Sequence, residues 1–153
     1  MISKLNYFRR VLVSYLIKGT KINMDQPETS LKPNILIAPL DWGLGHATRC
    51  IPIINSLLSQ GAGVILAGEG KTRTLLENEF PALPFINLEG YQVSYSDNKW
   101  TLPFVLASQI PKIISAIQNE QEWLYEIVGK NQIDGIISDN RYGLYHHEIP
   151  CIL

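Results

Sequence analysis

The hexapeptide Asp41-Trp42-Gly43-Leu44-Gly45-His46 holds the residues of this chain best suited to chemistry. Two glycines two positions apart let a backbone turn tightly and approach a ligand closely. A helix opening directly after them presents free N–H groups and a partial positive charge, which suits a phosphate or diphosphate. Gly43, Leu44 and Gly45 are therefore the expected phosphate-binding residues of this loop. His46 falls at the helix start, where an imidazole can face a cleft and take a proton from a hydroxyl. The plain alternative is a strand-to-helix turn with His46 as an exposed cap.

A second polar group is Asp139-Asn140-Arg141. Asp139 could accept a hydrogen bond from a ligand hydroxyl or from His46, and Arg141 could meet a phosphate. A solvated turn with a local ion pair fits the same residues. Tyr91, Tyr95 and Trp100 either stack on an acceptor or pin a long loop to the domain. Lys71 and Arg73 open a helix and could touch phosphate, although a solvated face is the commoner place for such charges. His146 and His147 are adjacent and so point to different faces, with no carboxylate or cysteine spaced around them as a metal site requires. No metal and no cofactor are expected. Cys50 and Cys151 lack any zinc-type spacing and read as two buried thiols rather than a disulfide.

The elements that must position these groups follow from hydropathy. Asn34 to Pro39 is a nearly continuous apolar run, as expected of a strand buried on both faces. Ile51, Ile54, Leu57 and Leu58 recur at helical spacing, and Gly61 ends the helix. Val64 to Ala67 is a second buried strand, turned by Gly68-Glu69-Gly70 into a helix over Lys71 to Glu79. Phe85 to Leu88 is a third strand, and Gly90 to Trp100 a polar loop. Leu102 to Ile117 is helical, with Ile110, Ile113, Ile114 and Ile117 on one stripe. Pro103 suits its first turn, and Pro111 predicts a kink or a split. Glu120 to Lys130 reads as another helix, Ile133 to Ser138 as a fourth strand and Ile149 to Leu153 as a fifth. Strands alternating with helices predict an α/β fold, a Rossmann-like parallel sheet covered on both faces, with ligands at the carboxyl ends of its strands.

Composition bounds the rest. The 153 residues are 46% hydrophobic and 18% charged with a formal net charge of -1, which suits one globular domain and argues against a nucleic-acid partner. Residues 1–33 read as an N-terminal extension and linker, and 34–153 as the domain. Within the first part, Val11 to Ile17 is far short of the roughly 20 apolar residues a membrane span needs. Residues 1–23 are either an interfacial anchor, with Lys4, Arg9 and Arg10 meeting anionic headgroups, or translated sequence upstream of a start at Met24. The expected location is cytoplasmic, with peripheral membrane contact through that segment. The ending at Cys151-Ile152-Leu153 reads as a strand cut in mid-course.

The stretch ILIAPLDWGLGHATRCIPIINSL, from Ile35 to Leu57, resembles the start of the GT-B glycosyltransferases related to the lipid-intermediate N-acetylglucosaminyltransferase of peptidoglycan synthesis. IDGIISDNRYG, from Ile133 to Gly143, is similar to the strand and acidic loop near the end of the same amino-terminal domain. The resemblance implies a GT-B half that binds a sugar or lipid-linked acceptor. The absent carboxyl-terminal half would bind a nucleotide-sugar donor such as UDP-N-acetylglucosamine. It further implies inversion at the anomeric carbon without an active-site metal, His46 as base or acceptor-positioning group, Gly43 and Gly45 on the cleft floor, and no activity for this chain alone.

Two other readings stand beside it. One is a subunit of a split glycosyltransferase whose donor-binding half is a separate chain. The other is a nicotinamide-dependent oxidoreductase domain, with Glu69 about 20 residues past the loop as a ribose ligand. The dinucleotide fingerprint is incomplete, because Thr48 stands where its third glycine would be. No GxSxG elbow supports a serine hydrolase.

Overall fold

The computed structural model describes residues 32–91 and 102–152. Five strands form one sheet: β1 (Asn34–Pro39), β2 (Gly63–Gly68), β3 (Phe85–Asn87), β4 (Gly135–Asp139) and β5 (Cys151–Ile152). Three helices connect them: α1 (Leu44–Ser59), α2 (Gly70–Glu79) and α3 (Leu102–Asn131). All pairings are parallel, in the order β3-β2-β1-β4-β5.

That order follows from the residues. In a strand successive side chains point to opposite faces, so a run apolar at every position must be covered twice. In β1, Ile35 and Ile37 join Ala47, Cys50, Ile54 and Leu57 of α1 and Leu76 of α2 on one face. Leu36 and Ala38 pack on the other, with Leu124 of α3, Ile136 and Leu144. Val64 and Leu66 divide from Ile65 and Ala67 in the same way. The expected Rossmann-like sheet is thus what the chain forms.

Two expectations about elements are corrected. Leu102 to Lys130 is not two helices, because α3 runs unbroken through Pro111 for 30 residues. A proline in mid-helix forfeits one backbone bond and crowds the preceding turn. Nothing between Ile117 and Glu120 stops the helix, and Glu120 is anchored in the protein interior. The isoleucine stripe is also not uniformly core: Ile110 and Ile114 are exposed, whereas Ile113 and Ile117 are half-buried. No helix among the described residues is long and apolar enough to cross a membrane. The extension 1–23, Tyr95 and Trp100 lie outside the described residues.

The strand order reverses between β1 and β4, since the chain moves outward from β1 through β2 to β3 and then returns to lay β4 on the other side of β1. At such a switch point the connections after the two central strands lead to opposite faces and leave a crevice between them. Pro39 is in register with Asp139, and the Leu40 N–H bonds the Asp139 carbonyl at 3.0 Å. The Gly43–His46 loop and the Asp139–Arg141 loop are therefore neighbours, although 93 residues separate His46 from Asp139.

Candidate functional site

The first loop leaves β1 through Asp41 and Trp42 and enters α1 at Gly43, which caps the helix without a side-chain bond. Gly43 has φ 129° and ψ 167°, a conformation open essentially to glycine alone. Gly45 is different: it carries no unusual φ, lies inside the first turn and has no atom within 4 Å of where a side chain would begin. Backbone strain therefore belongs to Gly43 and not to Gly45. Gly43, Leu44 and Gly45 are all exposed, and the first turn carries no acidic residue.

His46 is half-buried on α1 and its Nδ1 lies 2.9 Å from Oδ2 of Asp139 at the end of β4. A carboxylate only accepts, so when Nδ1 donates to Asp139 the lone pair is left on Nε2. The pairing that the sequence offered as one option for Asp139 is thus formed. Asn140, next in the chain, is exposed with φ 64°, a left-handed turn that asparagine tolerates and that redirects the backbone after β4. Arg49 joins the pair, with Nη2 2.9 Å from both Asp139 Oδ2 and His46 Nδ1. Sequence reasoning passed over Arg49. Its spacing of three from His46 on one helix, which places the two side by side, was the available signal.

Behind them Cys50 is buried, and burial pushes its thiol up to about 11, with Asp139 adding to the effect and Arg49 opposing it. It is a core thiol with no activated character. Cys151 is also free, half-buried, and raised by burial. His146 packs its ring on Tyr125, and its Nδ1 accepts the Glu148 N–H. His147 is exposed against the Tyr145 ring. Among the described residues no three His, Cys, Asp or Glu side chains converge as a metal site would need.

Arg141 departs from expectation. It is fully buried rather than presented to a phosphate. Its Nε donates to the Pro39 carbonyl, and its Nη1 to the Glu89 carbonyl and to Glu120 Oε1 at 2.9 Å. Glu120 Oε2 accepts from the Tyr91 hydroxyl at 2.7 Å and from the Gly143 N–H at 3.0 Å. The Tyr142 N–H in turn donates to the Tyr91 hydroxyl. Burial pushes both Glu120 and Tyr91 upward, and for Glu120 the bonds from Tyr91, Arg141 and Gly143 pull the other way. A guanidinium so enclosed finds its charge partner in the interior, because an unpaired buried charge is costly. The network ties the ends of β1, β3 and β4 to α3 and so fixes the loop that carries Asp139. Tyr91 accordingly pins its segment, with Trp42 edge-on to its ring at 6.3 Å.

Glu69 and Arg73 are engaged on the domain itself. Glu69 Oε1 accepts the Gly90 N–H at 2.7 Å, so the carboxylate an NAD ribose would need is turned to the backbone. Arg73 pairs with Glu77 and lies over the Phe85 ring, as a solvated face does.

These features define a Rossmann-like α/β domain whose two singled-out loops meet at the strand-order switch point. No protein-family model matches the chain, and no curated protein matches it. Among solved structures it is similar to MurG from Acinetobacter baumannii, at a TM-score of 0.43 and 15% identity, over 72% of this chain and 29% of that one. The chain thus spans less than a third of MurG's length. The likeness is one of partial fold, and the chemistry of the site is read from its own geometry.

Proposed function

We propose that this chain is the acceptor side of an inverting glycosyltransferase, with His46 as the base. The observation that carries the reading is the His46–Asp139 pair, 2.9 Å apart beyond the carboxyl ends of the neighbouring strands β1 and β4, directly after a glycine loop open to solvent. With its Nδ1 held by Asp139, the ring offers an unprotonated Nε2 to a hydroxyl. The proton passes from the acceptor hydroxyl to Nε2, and the acceptor oxygen bonds to the anomeric carbon of the donor sugar. The bond from that carbon to phosphate breaks on the opposite side, and its electron pair leaves with the nucleoside diphosphate. General-base help of this kind contributes about 10²–10⁴-fold.

The exposed backbone of Gly43, Leu44 and Gly45 at the start of α1 suits an anionic part of either substrate, and Asn140 and Asp139 offer polar contacts to sugar hydroxyls. Arg141 has no such part, because it is buried. In this reading the donor, a nucleotide sugar, is held by a second domain. That domain lies either further along the polypeptide or on a separate subunit, and this chain alone transfers nothing. The engaged Glu69 weighs against the oxidoreductase reading.

Transfer by the full-length protein tests the base assignment. His46→Ala should lower turnover by about 10²-fold or more while the circular dichroism spectrum remains that of the folded protein. Transfer at the unsubstituted rate would remove His46 from the reaction.

A further inference from the structure

Three polar atoms meet in a triangle at the candidate site. Arg49 Nη2 is 2.9 Å from His46 Nδ1 and 2.9 Å from Asp139 Oδ2, and those two are themselves 2.9 Å apart. The partners of Nδ1 make opposite demands on the ring. Asp139 only accepts, so it calls for a proton on Nδ1, whereas Arg49 only donates and calls for a bare lone pair there. Bonds to a carboxylate are charge-assisted and about twice as strong as neutral ones. Both donors therefore turn to Oδ2, and the ring keeps its proton on Nδ1.

The guanidinium then stands beside the imidazole as a positive charge. A like charge disfavours the charged form of a neighbour, while the carboxylate favours it. Among the described residues, the charged and titratable groups recorded around His46 are Asp139 from the end of β4 and Arg49 from its own helix. The Cys50 thiol, on the next turn, lies within the field of both. The balance at the ring is thus struck between one anion and one cation. The cation is the movable member, because its side chain is 64% exposed.

Resting on the reading of His46 as the acceptor base, we propose that Arg49 is a positioning residue that keeps the imidazole neutral while Asp139 holds it in line. Asp139 alone would orient the ring and also favour imidazolium, which has no lone pair to accept a proton. By sharing the same oxygen, Arg49 offsets that second effect and leaves the first in place.

Histidine-labelled full-length protein tests this by ¹⁵N NMR, with the His46 ring assigned from its loss in His46→Gln. Arg49→Met should move the neutral-to-charged transition of that ring upward by about half a pH unit, a roughly threefold gain in proton affinity, the scale of one partly exposed charge pair. Arg49→Lys keeps the charge and should stay near the unsubstituted protein. An unmoved transition in Arg49→Met overturns the proposal, and so does an equal rise in Arg49→Lys, since charge would not then be the cause. The measurement needs no substrate. Its failure would remove the role of Arg49 and leave the base assignment to the transfer rate of His46→Ala.

Discussion

The two glycines of the first loop look equivalent in sequence, yet their backbones differ and so should their mutants. Gly43→Ala forces a side chain into φ 129°, ψ 167°, and should cost about 1–3 kcal/mol in chemical denaturation. Gly45→Ala places a methyl in open space inside a helix and should leave stability unchanged or raise it by about 0.5–1 kcal/mol. Any loss of transfer in that variant would report ligand approach rather than folding. Cys50 gives a pH signature of its own. With the thiol raised from 9.0 to about 11, the folded state holds its proton more tightly than the unfolded state. Its contribution to stability is complete below pH 9 and lost as pH rises through about 11. Urea denaturation across that window should show the loss, and Cys50→Ala should abolish that part of it.

At the level of elements, α3 does more than cover the sheet. Its Glu120 and the Arg141 that follows β4 form a buried pair, with neither side chain appreciably exposed. Removing one member strands the other in the interior, so Arg141→Met should cost about 3–5 kcal/mol by urea denaturation. Arg141→Met combined with Glu120→Leu should recover part of that loss. Recovery of nothing would mean that the pair is not the unit. Gly143 packs so closely on α3 that a methyl group would fall 2.4 Å from the Ile117 carbonyl oxygen. These features also show where the sequence was legible. Local signals placed β1, α1, β2 and α2 well, because unbroken apolar runs and helical spacing are properties of neighbouring residues. The interior polar network was not legible. Arg141, Glu120 and Tyr91 are polar, lie far apart in the chain, and are brought together only by the crossover from β3 through α3 to β4. Read alone, Arg141 has the character of an exposed phosphate contact, and burial inverts that role. The continuity of α3 through Pro111 was not legible either, since a proline marks a possible break without deciding whether the helix resumes its course.

Across the whole molecule, one topological event makes the site. The reversal between β1 and β4 brings the two loops that the sequence singled out to the same edge of the sheet, and the register Pro39–Asp139 sets them side by side. The dyad is a product of that register, which no spacing along the chain could reveal. The measurement that tests this account most directly is release of nucleoside diphosphate from a panel of UDP-, GDP- and dTDP-sugars by the full-length protein, with membranes of the source cells supplying acceptor. The unsubstituted protein should turn over one of these donors. His46→Ala should fall by about 10²-fold or more, and Asp139→Asn should fall by less, because it leaves the imidazole in place but loosens its tautomer and orientation. Equal turnover by all three proteins would contradict the account, since the His46–Asp139 pair would then have no part in the chemistry.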